Sequence, residues 1–154
     1  MLKEGDIMPE FSLVGDDGNK YTNEDMKGKK TVIYFYPRSN TPGCTKEAQS
    51  FQRVYELLLE NGINVFGISP DKSATQLKFK EKYELPFTLL SDVDKSIADK
   101  FGAYGEKKLY GKVSMGIIRS TFVFDENGVV IKVYPKVKTA EHGEEIAKFF
   151  GLMD

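Results

Sequence analysis

The chain has 154 residues, 40% of them hydrophobic and 29% charged, with 22 Lys and Arg against 23 Asp and Glu, so it is long enough to bury a core and is expected to form one domain, 1–154. The two charge signs are scattered, which excludes a basic stripe for nucleic acid, and no run approaches the ~18 apolar residues of a membrane-spanning helix. One Cys and one His exclude an internal disulfide framework, a Cys-x-x-Cys pair and a multi-thiolate zinc site. With no clustered carboxylates either, neither metal nor cofactor is expected.

The first six residues, Met1 to Asp6, carry charges where a signal peptide needs an apolar core, so a cytoplasmic location is expected. Phe11 to Val14 and Lys20 to Thr22 flank a Gly- and Asp-rich turn and read as a hairpin. Thr31 to Tyr36 is a β-branched and aromatic run, as a strand buried on both faces requires, and Pro37 stops it. From Thr41 the signals turn helical: Thr41 can cap, Pro42 suits the first helical position, and Phe51, Val54, Tyr55, Leu58 and Leu59 recur at helical spacing up to Asn61-Gly62.

Ile63 to Ile68 reads as a second buried strand, Ser73 to Tyr83 as a helix, Thr88 to Leu90 as a short strand and Ser96 to Phe101 as a short helix. Tyr104 to Met115, rich in Gly and Lys, reads as a loop. Thr121 to Phe124 and Val129 to Tyr134, joined across Asn127-Gly128, read as a hairpin, and Thr139 is expected to cap a final helix through Phe150. The alternation of strand and helix is that of an α/β sheet.

Chemistry concentrates in Tyr34-Phe35-Tyr36-Pro37-Arg38-Ser39-Asn40-Thr41-Pro42-Gly43-Cys44-Thr45. With Thr41 as cap, Cys44 falls in the first helical turn, where backbone N–H groups lack intrahelical partners and the helix dipole favours a thiolate. A lone cysteine is ordinarily a small buried hydrophobe, but this placement points toward reactivity. Other groups have simpler readings. Glu47 is a helix charge that can hold an Arg or Lys, His142 lies in a charged and solvated turn, Lys107, Lys108 and Lys112 are solvated, and the Asp pairs at 16–17 and 92–94 suit turns and caps.

Pro37-x-x-x-Thr41-x-x-Cys44, with Glu47 and Ala48 following, resembles the active-site pattern of the peroxiredoxins, in particular the bacterioferritin comigratory protein or peroxiredoxin Q branch. The likeness continues through Leu85-Pro86-Phe87, Leu89 to Asp92, Tyr110-Gly111-Lys112, Met115-Gly116-Ile117 and Arg119-Ser120-Thr121-Phe122, so it spans nearly the whole chain. It implies a thioredoxin fold with an added N-terminal β-hairpin, in which helices flank a central mixed β-sheet. It also implies reduction of hydrogen peroxide and organic hydroperoxides by Cys44, with catalytic partners Thr41, Arg119 and Pro37. Arg119 would offer donors to the thiolate and the developing oxygen charge, Thr41 would position a peroxide oxygen, Pro37 would wall off water, and the N–H groups at Gly43 and Cys44 would complete the substrate cradle.

Acidity alone would achieve little. Lowering a thiol's pKa from ~8.5 to ~6 raises its thiolate fraction at pH 7 about 30-fold, whereas a Brønsted β near 0.45 lowers its nucleophilicity about 13-fold. The arranged donors must therefore supply most of the rate.

Many members of this branch carry a resolving cysteine five residues after the nucleophile, and here that position is Gln49. The resemblance then implies a one-cysteine cycle, in which the Cys44 sulfenic acid is reduced by an external thiol such as thioredoxin or glutaredoxin. A monomer or homodimer is expected. The alternative is a redox-sensing thiol module on the same fold.

Overall fold

The computed structural model describes residues 1–154, with the Leu109 side chain outside that description. The N-terminal hairpin forms as expected from β1 (Ser12–Gly15) and β2 (Lys20–Thr22). The β-branched and aromatic run becomes β3 (Lys30–Phe35), buried beyond its first residue. α1 (Pro42–Glu60) then starts at the Thr41-Pro42 signal, and Gly62, at φ +74°, turns the chain into β4 (Ile63–Ser69). α2 (Ser73–Tyr83), β5 (Thr88–Ser91) and α3 (Ser96–Phe101) match the spacing seen in the sequence.

After α3 come β6 (Tyr104–Leu109), β7 (Lys112–Ile117), β8 (Ser120–Phe124), β9 (Val130–Tyr134) and α4 (His142–Phe149). The seven-stranded sheet runs β2-β1-β5-β4-β3-β8-β9, with β6 and β7 as a separate pair. β3 lies parallel to β4 and β4 to β5, while the β1–β5, β3–β8 and β8–β9 pairs are antiparallel, so the sheet is mixed as expected. Among the described residues no helix is long and apolar enough to cross a membrane.

Strand alternation divides the interior into two clusters. Val32, Tyr34 and Tyr36 point to one face and pack with Cys44, Ala48, Phe51, Val54 and Leu58 of α1 and with Ile146 and Ala147 of α4. Ile33 and Phe35 point to the other, where they meet Phe101 of α3, Phe122 and Phe124.

Two elements depart from the sequence reading. The segment read as a loop over Tyr104 to Met115 is the β6–β7 hairpin, closed by Tyr110 and Gly111 at φ +52° and +77°. Both central residues of such a tight turn need positive φ, and a tyrosine in that conformation carries no turn signal in the sequence. The last helix begins at His142 after a Glu141 cap rather than at Thr139. Its start is set across space: the Gly143 N–H donates to Ser50 Oγ at 2.8 Å, and a Cβ on Gly143 would lie 2.0 Å from the Ser50 carbonyl oxygen. Glycine lets α4 approach α1 that closely.

Candidate active site

The loop between β3 and α1, together with the first turn of α1, carries three of the four expected catalytic residues. Asn40 adopts the left-handed region (φ +62°), and Thr41, extended at φ −92° and ψ 157°, occupies the N-cap. Its side chain does not cap. The Thr41 hydroxyl donates instead to the Arg38 carbonyl at 2.9 Å, while the Thr41 carbonyl accepts the first helical bond from the Thr45 N–H. Pro42 has no N–H, so the N–H groups at the mouth of the helix dipole are those of Gly43 and Cys44. Pro37 is half-buried where β3 ends.

Arg119 approaches from the segment joining β7 to β8. Ser120 pairs with Phe35, the last residue of β3, so β8 delivers Arg119 to the sheet end from which α1 departs. Its Nη2 donates to Cys44 Sγ at 3.3 Å and its Nη1 to Glu47 Oε1 at 2.6 Å. A Cβ on Gly43 would stand 3.3 Å from Nη2, so the bare backbone there makes room for the guanidinium over the first turn. Cys44 is 1% exposed. The structure thus brings Cys44, Gly43 and Arg119 together, with Thr41 and Pro37 in the adjoining loop.

Glu47, read from the sequence as a helix charge that can hold an Arg or Lys, does hold Arg119, and its burial goes beyond that reading. It is fully buried, one turn beyond Cys44, and its second oxygen has no hydrogen-bond partner among the described residues. Burial pushes its carboxyl up to about 7 against the pull of Arg119. Burial also works against the charge on Arg119, but Glu47 and Cys44 together hold it above its ordinary range. Lys107 is half-buried rather than simply solvated. Its pKa is lowered by burial and by Arg119, with Cys44 opposing, so a second cation lies within the field of the sulfur.

His142, read as solvated, is fully buried. Its Nε2 is 2.7 Å from the Thr121 hydroxyl and its Nδ1 3.4 Å from Glu145, with the rings of Phe51 and Tyr134 edge-on to it. Burial holds it below the ordinary histidine range against the pull of Glu145. It is a packed link between α4 and β8, outside the contacts of Cys44.

Residues 5–133 match the AhpC/TSA family. Peroxiredoxin Bcp of Escherichia coli (strain K12) is 41% identical over 145 residues, covering 94% of this chain and 93% of that one. A relative in Coxiella burnetii is 45% identical over 94% of this chain and 96% of its own. Among solved structures, the Xanthomonas campestris bacterioferritin comigratory protein, studied for its alkyl peroxide reduction activity, has a TM-score of 0.86 at 33% identity, covering 92% of this chain and 90% of that one. A Xylella fastidiosa PrxQ variant has a TM-score of 0.92 at 27% identity, covering 98% of this chain and 96% of that one. The sheet and its flanking helices are accordingly a thioredoxin fold, and the chain belongs to the AhpC/TSA family as a peroxiredoxin of the bacterioferritin comigratory protein branch, a thiol-dependent peroxidase.

Proposed function

We propose that Cys44 is the peroxidatic nucleophile of a one-cysteine cycle, with Arg119, Thr41 and Pro37 as its catalytic partners and an external thiol as reductant. The observation that carries this reading is the contact of one guanidinium with both Cys44 Sγ and the buried Glu47 carboxyl. The thiolate attacks the terminal oxygen of R–O–O–H in line with the O–O bond. The S–O bond forms as O–O breaks, leaving Cys44 as a sulfenic acid and releasing RO⁻, which takes a proton to become ROH.

Arg119, already charged and aimed at the sulfur, stabilises the negative charge as it passes from sulfur to the leaving oxygen. The Gly43 and Cys44 N–H groups and the Thr41 hydroxyl supply further donors. Pro37 borders the site without adding a competing N–H. An external thiol then condenses with the sulfenic acid, releasing water and forming a mixed disulfide, and a second thiol frees Cys44. The sequence has no other cysteine to close an internal disulfide. Organic hydroperoxides are proposed as substrates beside hydrogen peroxide, in line with the alkyl peroxide activity of the Xanthomonas campestris relative.

The test is the mass of the intact chain, under denaturing conditions, after peroxide treatment without reductant, followed by donor-dependent turnover. The expected products are oxygen additions on Cys44 that thioredoxin, glutaredoxin or a small thiol reverses at the sulfenic stage. An unmodified Cys44 would overturn the reading. A sulfenic acid that none of these thiols reduces would overturn the external-thiol cycle.

A further inference from the structure

The loop carrying Pro37 and Thr41 is held from α2 at two depths: at the surface Tyr83 Oη and Lys82 Nζ donate to Asn40 Oδ1 at 3.0 and 3.2 Å, and in the interior one side chain, Gln76, holds Ser39. Gln76 is fully buried and uses all four of its hydrogen-bonding capacities. Its carbonyl oxygen accepts from the Tyr36 hydroxyl and from Ser39 Oγ at 2.8 Å. Its amide nitrogen donates to Ser69 Oγ at 2.9 Å and to the Leu90 carbonyl at 3.0 Å. Ser69 passes the chain on to Asp71 Oδ2 at 2.8 Å, and the same Asp71 oxygen accepts the Ser39 backbone N–H at 2.7 Å.

Ser39 is therefore held twice, through side chain and backbone, midway between Pro37 and Thr41. The anchors on the other side are the ends of β4 and β5, and the Tyr36 N–H adds a bond to the Ile68 carbonyl at 3.0 Å. Such a saturated network allows one arrangement of the loop, because any displacement strands several buried polar groups at once. Outside the network, the Thr41 hydroxyl bonds only within the loop, to the Arg38 carbonyl. Its position relative to the sulfur thus follows Ser39, held in the interior, together with Asn40, held at the exposed edge by Tyr83 and Lys82.

We propose that Gln76 is a positioning residue for the peroxide step: through Ser39 it holds the Pro37–Thr41 loop and the first turn of α1 in the arrangement that attacks peroxide. It touches neither Cys44 nor peroxide. Thiol reduction of the sulfenic acid, which gains nothing from a closed peroxide cradle, is not favoured by this restraint. The proposal rests on the reading of Cys44 and Thr41 given above.

The experiment separates the two half-reactions by rapid mixing, following oxidation of reduced enzyme by peroxide and reduction of the sulfenic acid by dithiothreitol. In Gln76→Leu, peroxide oxidation is expected to slow by a factor on the order of ten or more, with reduction unchanged or faster and amide exchange increased over residues 37–45. Ser39→Ala, which removes a single bond, should slow oxidation less, and the double variant should be no slower than Gln76→Leu, since both act through one link. Asp16→Asn is the stability control, because buried Asp16 bonds Leu89 and Lys80 and touches nothing in this loop. It should leave both half-reactions as they are. Equal slowing of oxidation and reduction in Gln76→Leu, or no slowing in either variant, would overturn the proposal. If Gln76→Leu does not fold, Ser39→Ala decides alone, and an unchanged oxidation rate in it would overturn the proposal equally. Failure of the wild-type chain to react with peroxide would instead remove the underlying reading.

Discussion

The two faces of the central sheet share their strands and differ in chemistry. Toward α3, Ile33 and Phe35 of β3 and Phe122 and Phe124 of β8 meet Phe11 and Phe101 in hydrocarbon packing, with Phe101 edge-on to Phe35 at 5.1 Å and to Phe122 at 5.4 Å. On the other face, toward α1 and α2, lie Tyr34 of β3, Tyr36 just beyond it and Thr121 of β8, with Cys44 packed among the apolar residues there, Gln76 bonded to Tyr36, His142 to Thr121 and Glu47 to Arg119, all but Arg119 buried. Burial of hydrocarbon is non-directional and stabilises the chain however the rings are turned. A buried polar group must be aimed at a partner, and two on the reactive side, the Tyr34 hydroxyl and the second oxygen of Glu47, have none among the described residues. The α1 face thus adds a demand for orientation to a hydrocarbon packing of its own, built on Phe51, Val54, Leu58 and Phe87.

Substitutions should accordingly separate by face. The largest effect is expected from Cys44→Ser, which removes the thiolate and should abolish peroxide turnover while leaving circular dichroism and unfolding cooperativity intact. More than trace activity in that variant would detach Cys44 from the chemistry. Next comes Arg119→Ala, for which the rate of Cys44 oxidation by peroxide should fall by on the order of 10² or more, the scale of losing a transition-state donor. An unchanged rapid-mixing rate would remove Arg119 from its role.

On the hydrocarbon face the pattern reverses. Phe101→Ala should cost about 3–5 kcal/mol in urea unfolding by leaving a cavity among Phe35, Phe122 and Phe124. Oxidation of Cys44 per folded molecule should stay at the wild-type rate. A variant that is stable but slow would show that the two faces are not separable.

The smallest effect concerns pH. Burial raises the Glu47 carboxyl from the ordinary 4.5 to about 7, so between those values the folded chain keeps a proton that the unfolded chain releases. The folded state binds more protons in that window, and stability therefore falls as pH rises from about 4.5 to about 7, by at most on the order of 3 kcal/mol. Urea unfolding at the two ends of the window should show this fall in the wild type and a flatter profile in Glu47→Gln. Identical profiles would place the titration elsewhere.

Most strands and helices were legible because their signals are local. Ser73–Tyr83 and Ser96–Phe101 follow from the spacing of their residues, although the N-cap residue of neither caps with its side chain, and Pro42 after Thr41 marks the start of the helix carrying Cys44. The features that escaped depend on distant partners. Glu47 reads as a helix charge able to hold an Arg or Lys, but its full burial and the choice of Arg119, just before β8, come only with the fold; His142 looks solvated until Gly143 seats α4 on Ser50, and the β6–β7 turn places a tyrosine in a conformation its side chain does not announce. Gln76 gave no signal at all, being one polar residue on a helix whose importance lies in four bonds to three other segments.

The central claim, a peroxidase cycle on one cysteine closed by an outside thiol, is tested most directly by the stoichiometry of peroxide consumption. Reduced wild-type chain mixed with one equivalent of hydroperoxide and no thiol should consume that equivalent and stop, with one oxygen added at Cys44. Addition of dithiothreitol and excess peroxide should then restart consumption through many equivalents per chain. Consumption that never begins, or a sulfenic acid that thiol fails to return to turnover, would contradict the account.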